Sequence, residues 1–194
     1  MKNVRSICVF CGSREGVDPK HRAMAENLGK LLAEKEIRLV YGGGGIGLMG
    51  ILAQEVMTNG GKVSGIIPNF LMRYEVGDVE GVDTVIVGSM HERKNKMFEM
   101  ADAFVVLPGG IGTLDETIEI TTWKQLRLHD KPIVLVNEGG FWGPLLDLFN
   151  KVIAGGYAHP KINELFTVVE DVDEVFQSIA DAPEPDDVVL TSHL

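Results

Sequence analysis

The chain has 194 residues, of which 45% are apolar and 24% charged, with a formal net charge of −10. That length suits one domain with a real core, and that composition excludes a disordered chain. The negative balance argues against a general nucleic-acid binder, and no window approaches the ~20 apolar residues of a membrane span.

Met1 to Ser6 runs straight into a strand pattern without a signal-peptide layout. Val4 to Phe10 is an apolar, β-rich run closed by Cys11-Gly12-Ser13. His21 to Lys35 carries Met24, Leu28, Leu31 and Leu32 at helical spacing. Arg38 to Tyr41 is a short strand that meets Gly42 to Gly47. A helix over Leu48 to Asn59 stops at Gly60-Gly61, and a strand over Lys62 to Ile67 stops at Pro68. Asn69 to Gly81 has no period and reads as a loop. A strand over Val82 to Val87 and a helix over Met90 to Ala101 follow. Ala103 to Leu107 is an apolar strand that breaks at Pro108-Gly109-Gly110 and restarts as a helix from Thr113 to about Leu128. The chain continues with a strand over Pro132 to Val136, a helix over Trp142 to Ala154, a strand over Phe166 to Val169 and a helix over Val172 to Ala180.

Alternating strands and helices predict an α/β fold: a mostly parallel sheet of about seven strands, with helices on both faces. One domain spans residues 1–181, and an acidic tail over 182–194 is expected to be loose. The glycine-rich and polar segments all follow strands, so they gather at one sheet edge, where such folds bind ligands. Cys8 and Cys11 form a C-x-x-C without a second pair or spaced histidines. They read as small strand residues rather than a metal or redox site. Two cysteines make no disulfide framework, which predicts a cytoplasmic protein.

Three motifs carry chemistry. The first is Leu107-Pro108-Gly109-Gly110-Ile111-Gly112-Thr113-Leu114-Asp115-Glu116. A strand that restarts there as a helix leaves free N–H groups and a positive dipole end for an anion, phosphate above all. Within it, Thr113 and Glu116 fit a capping box. Two carboxylates beside a phosphate site also suit a neighbouring centre that becomes cationic, such as a sugar oxocarbenium ion. The second motif is Gly42 to Gly50, which matches G-x-G-x-x-G twice. The next strand supplies no acid for a ribose diol, so a nicotinamide-dependent dehydrogenase is disfavoured. Phosphate contact and tight helix–strand packing both remain open there. The third is Met90-His91-Glu92-Arg93-Lys94, which opens a helix. Met90, Lys94, Met97 and Ala101 share one face and Arg93 flanks it. Cations in a first turn oppose the dipole, so Arg93 and Lys94 either reach an anion or pair with Glu92 and Glu99.

Met90 to Met97 fits M-H-x-R-K-x-x-M, and Pro108 to Glu116 fits P-G-G-x-G-T-x-x-E. With Cys-Gly-Ser at 11–13 and Tyr-Gly-Gly-Gly at 41–44, the chain resembles the Lonely Guy family from about Val4 to Ala180. Ile111 stands where that family often has tyrosine, and Asp115 where glutamate is frequent. These are cytokinin riboside 5′-monophosphate phosphoribohydrolases, often labelled lysine decarboxylases. Nothing in the sequence marks a pyridoxal-phosphate lysine. The resemblance implies a Rossmann-like three-layer fold and a homodimer with no metal or organic cofactor. It implies a nucleoside 5′-monophosphate substrate, with no nucleic-acid or membrane partner. Carried over by motif, Arg93 and Glu116 form the catalytic pair. Gly12, Ser13, Gly43, Gly44, Glu75, Met90, Lys94 and Thr122 line the nucleotide site. Pro108, Gly109, Gly110, Ile111, Gly112 and Thr113 belong to the phosphate loop. A non-catalytic nucleotide or cofactor carrier on the same fold is the alternative.

Overall fold

The computed structural model describes residues 4–72 and 81–183. The expected tail, from residue 184 on, and Glu75 lie outside the described residues.

Among the described residues, seven strands, all parallel, form one sheet in the order β4-β3-β2-β1-β5-β6-β7. They are β1 (Ser6–Phe10), β2 (Arg38–Tyr41), β3 (Val63–Pro68), β4 (Asp83–Val87), β5 (Ala103–Val106), β6 (Ile133–Val136) and β7 (Thr167–Val169). The helices are α1 (Pro19–Glu34), α2 (Gly47–Thr58), α3 (Met90–Met100), α4 (Ile111–Gln125), α5 (Gly143–Ala154) and α6 (Val175–Ala180). None of the described helices is long and apolar enough to cross a membrane.

The central strands are apolar throughout because helices cover both faces. Along β1, Ile7 and Val9 pack into one core with Met24, Leu28, Leu52, Val56, Val175 and Ile179 from α1, α2 and α6. Cys8 and Phe10 turn to the opposite core, with Met97, Ile120, Trp142 and Leu145 from the α3, α4 and α5 side. The strand period of two makes this division. The two cysteines are buried free thiols in different cores, as small packing residues would be.

Element ends differ from expectation by a few residues, for local reasons. Helix α1 starts two residues earlier than the apolar period suggests. Asp18 caps it, accepting from the Lys20 N–H at 3.0 Å, and Pro19 stands in its first turn. Helix α4 starts at Ile111, not Thr113. Its N-cap is Gly110, without a side-chain cap bond. The expected capping box at Thr113 and Glu116 is therefore not formed. A cap of that kind opens α3 instead. Ser89 Oγ accepts from the Glu92 N–H at 3.1 Å, and Glu92 Oε2 accepts from the Gly88 N–H at 2.6 Å. Glu92 is thus engaged at the helix start rather than with Arg93 or Lys94.

The chain enters the sheet at β1, winds outward through β2, β3 and β4, then returns to β5 beside β1 and winds the other way. Connections from β1 and β5 leave in opposite directions. The crevice at their carboxyl ends is the switch point of a doubly wound sheet.

Candidate active site

Three loops meet at that crevice and are tied by backbone hydrogen bonds. The Gly12 N–H donates to the Pro108 carbonyl at 3.0 Å, and the Met49 N–H donates to the Gly12 carbonyl at 3.3 Å. The approach needs glycine. A Cβ on Gly109 would stand 2.1 Å from Thr113 Oγ1, and one on Gly47 would stand 2.2 Å from the Ser13 backbone. Gly50 is equally pressed, against the Gly45 carbonyl at 2.3 Å. Much of the Gly42–Gly50 run is thus explained by close packing.

Between the loops lies a cleft of about 630 Å³, within the range of small-molecule sites. Gly12, Ser13, Pro108, Gly109, Gly110 and Ile111 line it. Helix α4 opens onto it through Gly110, and its first intrahelical bond is Leu114 N–H to the Gly110 carbonyl. The N–H groups before that bond have no partner within the helix. Gly112 and Thr113 belong to this first turn, and Thr113 is buried. The segment Arg14 to Val17 lines it too, as do Leu48, His21 and Phe141, the last two in a T-shaped pair with centroids 5.2 Å apart. No sequence motif marked Leu48, His21 or Phe141. They come from α1, α2 and the β6–α5 loop, which only the tertiary fold brings together.

Arg93 and Glu116 face each other between α3 and α4, with Nη1 4.0 Å from Oε1. Arg93 is buried, at 7% exposure. Two carbonyls, one inside β3 and one just past β2, seat its guanidinium. Nε donates to the Ile66 carbonyl at 3.1 Å and Nη2 to the Gly42 carbonyl at 2.8 Å. A Cβ on Gly42 would lie 1.9 Å from Nη2, so this glycine makes room for the arginine. The sequence carried no sign of that role, because Gly42 hides in a glycine run.

Burial of the Glu116 carboxyl pushes its pKa up to about 7. Asp115 and Glu119 add to the rise, while Arg93 and Lys94 oppose it. A carboxyl that changes charge near neutral pH suits proton transfer and charge stabilisation. Cys8 and Cys11 stay protonated, since burial, with Glu116 nearby, raises both thiols far above neutrality.

The remaining expected residues are dispersed. Lys94 pairs with Asp115 at 3.1 Å and Glu119 at 3.0 Å. Met90 is half-buried in the first turn of α3. Gly43 takes a positive φ of 79° and packs on Ile66 and Ile67, and Gly44 is buried beside it. Neither lines the cleft described above. Thr122 is exposed on α4, about three turns from Gly110. Among the described residues, no group of three or more His, Cys, Asp or Glu is placed to hold a metal ion.

Comparison with known proteins agrees with the fold and the motifs. Two solved structures share the architecture. A molybdenum cofactor binding protein from Rippkaea orientalis has a TM-score of 0.68 at 20% identity, covering 93% of this chain and 98% of that one. The molybdenum cofactor carrier protein of Chlamydomonas reinhardtii has a TM-score of 0.69 at 22% identity, covering 91% and 96%. At such identities they show the fold alone. A probable cytokinin riboside 5′-monophosphate phosphoribohydrolase of Oryza sativa subsp. japonica is 43% identical over 179 residues, 92% of this chain and 78% of the relative. A cytokinin riboside 5′-monophosphate phosphoribohydrolase of Arabidopsis thaliana is 40% identical over 191 residues, 98% and 87% of the two chains. The family described as "Possible lysine decarboxylase" matches residues 49–179. The chain belongs to this family, the Lonely Guy family of phosphoribohydrolases.

Proposed function

We propose that this protein hydrolyses the N-glycosidic bond of adenosine 5′-monophosphates, N6-modified cytokinin nucleotides or AMP, to the free base and ribose 5-phosphate. The observation that carries the proposal is the buried Arg93–Glu116 pair, at 4.0 Å, between α3 and α4; neither residue lines the cleft, onto which α4 opens at Gly110. The phosphate sits against the Gly110 end of α4, with Gly12 and Ser13 opposite. As the bond to the base breaks, the sugar becomes cation-like. The ionised Glu116 stabilises that charge and orients or activates the attacking water. Arg93 stays protonated and acts through charge and hydrogen bonds, not as an acid. Its donors to Gly42 and Ile66 fix the guanidinium before substrate arrives, so little reorganisation accompanies reaction. The substrate proposal rests on the relatives' names, and the phosphate requirement on the cleft.

The protein works as a homodimer in the cytoplasm on this proposal. A light-scattering mass near the 21.2 kDa of one chain at micromolar concentration would exclude the dimer. The activity is tested by incubation with AMP and with an isopentenyl-adenine nucleotide, then chromatography for released base. Release from either supports the proposal, and their ratio assigns the preferred substrate. Tight binding of both without release would mark a nucleotide carrier instead.

A further inference from the structure

We propose that Lys94 is a positioning residue, whose ammonium ties α3 to α4 through Asp115 and Glu119 and so fixes the approach of Arg93 to Glu116. This rests on the hydrolase reading above. The geometry is a pair of rungs between the same two helices. Arg93 and Lys94 are neighbours on α3, and their partners Glu116 and Asp115 are neighbours on α4. The first rung is loose, at 4.0 Å, and the second is made of two hydrogen-bonded ion pairs at 3.1 and 3.0 Å. The tight rung sets the spacing that the loose one inherits.

Asp115 and Glu119 are four residues apart on one helix face, where like charges repel. Lys94 bridges both and offsets part of their charge, with its side chain 12% exposed. An ammonium held between two carboxylates is poorly placed to take a phosphate, since both acids repel the dianion. The groups facing Glu116 are Arg93 and Lys94 from α3, Asp115 and Glu119 from α4, and the thiols of Cys8 in β1 and Cys11 just past it. Of these, Lys94 is the cation that pairs with the two neighbouring acids and offsets part of their charge. It therefore tunes Glu116 as well as holding the helices.

The test compares Lys94→Met, Lys94→Arg and the Asp115→Asn/Glu119→Gln double variant. The pH dependence of kcat/KM on AMP is one readout. The infrared band of the protonated Glu116 carboxyl, identified by its loss in Glu116→Gln, is the other. The phosphate of AMP titrates alike with every variant. In Lys94→Met the midpoint should rise by on the order of half a pH unit, with kcat down about tenfold. In the double variant it should fall. Lys94→Arg should restore both values. A raised KM for AMP in Lys94→Met, with neither readout shifted, overturns the proposal and makes Lys94 a substrate contact. Unmoved midpoints in both Lys94→Met and the double variant overturn it as well. Should Lys94→Met fail to fold, the double variant, whose Asp115 is exposed, decides alone: a fall supports the proposal and no change overturns it. Should the wild type not cleave AMP, the infrared shifts still decide the placement of Lys94, while the hydrolase reading falls separately.

Discussion

Replacing Glu116 by glutamine should make the protein more stable, and only where the carboxyl would be charged. Glutamine keeps the shape of the protonated side chain and removes its titration. In the unfolded chain the carboxyl ionises near its ordinary 4.5, and in the folded chain only near about 7. The folded state therefore holds the proton more tightly. The stability this contributes is whole below pH 4.5 and is lost as pH rises through 7. At 1.36 kcal/mol per pH unit, the full loss is on the order of 3 kcal/mol. The side chain is only 12% exposed, so solvent screening takes little from that figure. Glu116→Gln should thus match the wild type at pH 4, exceed it by about 2 kcal/mol at pH 6 and by about 3 kcal/mol at pH 8. For a chain of this size that is roughly 6–12 °C in melting temperature at pH 8. Denaturant and thermal unfolding at one fixed protein concentration, from pH 4 to 8, measure it. Activity should move the other way, with kcat down on the order of 10²-fold or more above pH 7, where the wild-type carboxyl is ionised, and the gap closing as pH falls and the wild type is protonated. A stability difference that is the same at pH 4 and pH 8 would refute the reasoning, because Glu116 would then titrate alike in both states. Wild-type kcat in Glu116→Gln would separately remove the hydrolase mechanism.

Two more outcomes follow from the same contacts. Gly42→Ala should fold, because the Gly42 φ is not positive, but its Cβ displaces Arg93 Nη2 and leaves the Gly42 and Ile66 carbonyls without their donor; a loss of about 1–3 kcal/mol and on the order of 10² in kcat is expected, and full activity would disprove the seat. Adenosine should be cleaved at least about 10²-fold less efficiently than AMP in kcat/KM, since contacts at the Gly110 end of α4 act only on a phosphate; equal values would take the anion out of the cleft.

Much of the fold is legible in the sequence because its signals are local. Apolar strands such as Ala103–Val106 and the helical period of α1 need no tertiary knowledge. The loop–helix junction at Pro108 to Gly112 is legible for the same reason: a strand end, glycines and a helix start are adjacent in sequence. What stays hidden is what depends on sequence separation. Arg93 is held by carbonyls 51 and 27 residues away, and a carbonyl is the same atom in every residue. His21 and Phe141 meet across 120 residues as an ordinary surface-type histidine and an ordinary aromatic. Lys94 shows the intermediate case. Its place on the apolar face of α3 demanded a partner, but Glu92 and Glu99, nearest in sequence, are not the acids that α4 delivers.

The helix starts provide the sharpest contrast between local pattern and tertiary use, and one more measurement. Ser89 to Glu92 and Thr113 to Glu116 carry the same capping-box spacing. Only the first is used as a cap, because at α4 the chain turns at Gly110 and Thr113 is already inside the helix. Glu116 is thereby released from the backbone and is buried facing Arg93. Ser89→Ala should then lose about 1 kcal/mol of stability through the vacated Glu92 N–H. Its effect on kcat should be small, since the substitution removes only the hydroxyl, and the Ser89 carbonyl still accepts from the Arg93 N–H at 3.0 Å. Glu92→Gln should be milder, because its amide oxygen still accepts from the Gly88 N–H. Equilibrium unfolding and steady-state kinetics on both variants measure this. If Ser89→Ala were silent in stability, the cap at α3 would be idle. The reason for calling Glu116 free of a capping duty would then have to rest on the α4 geometry alone.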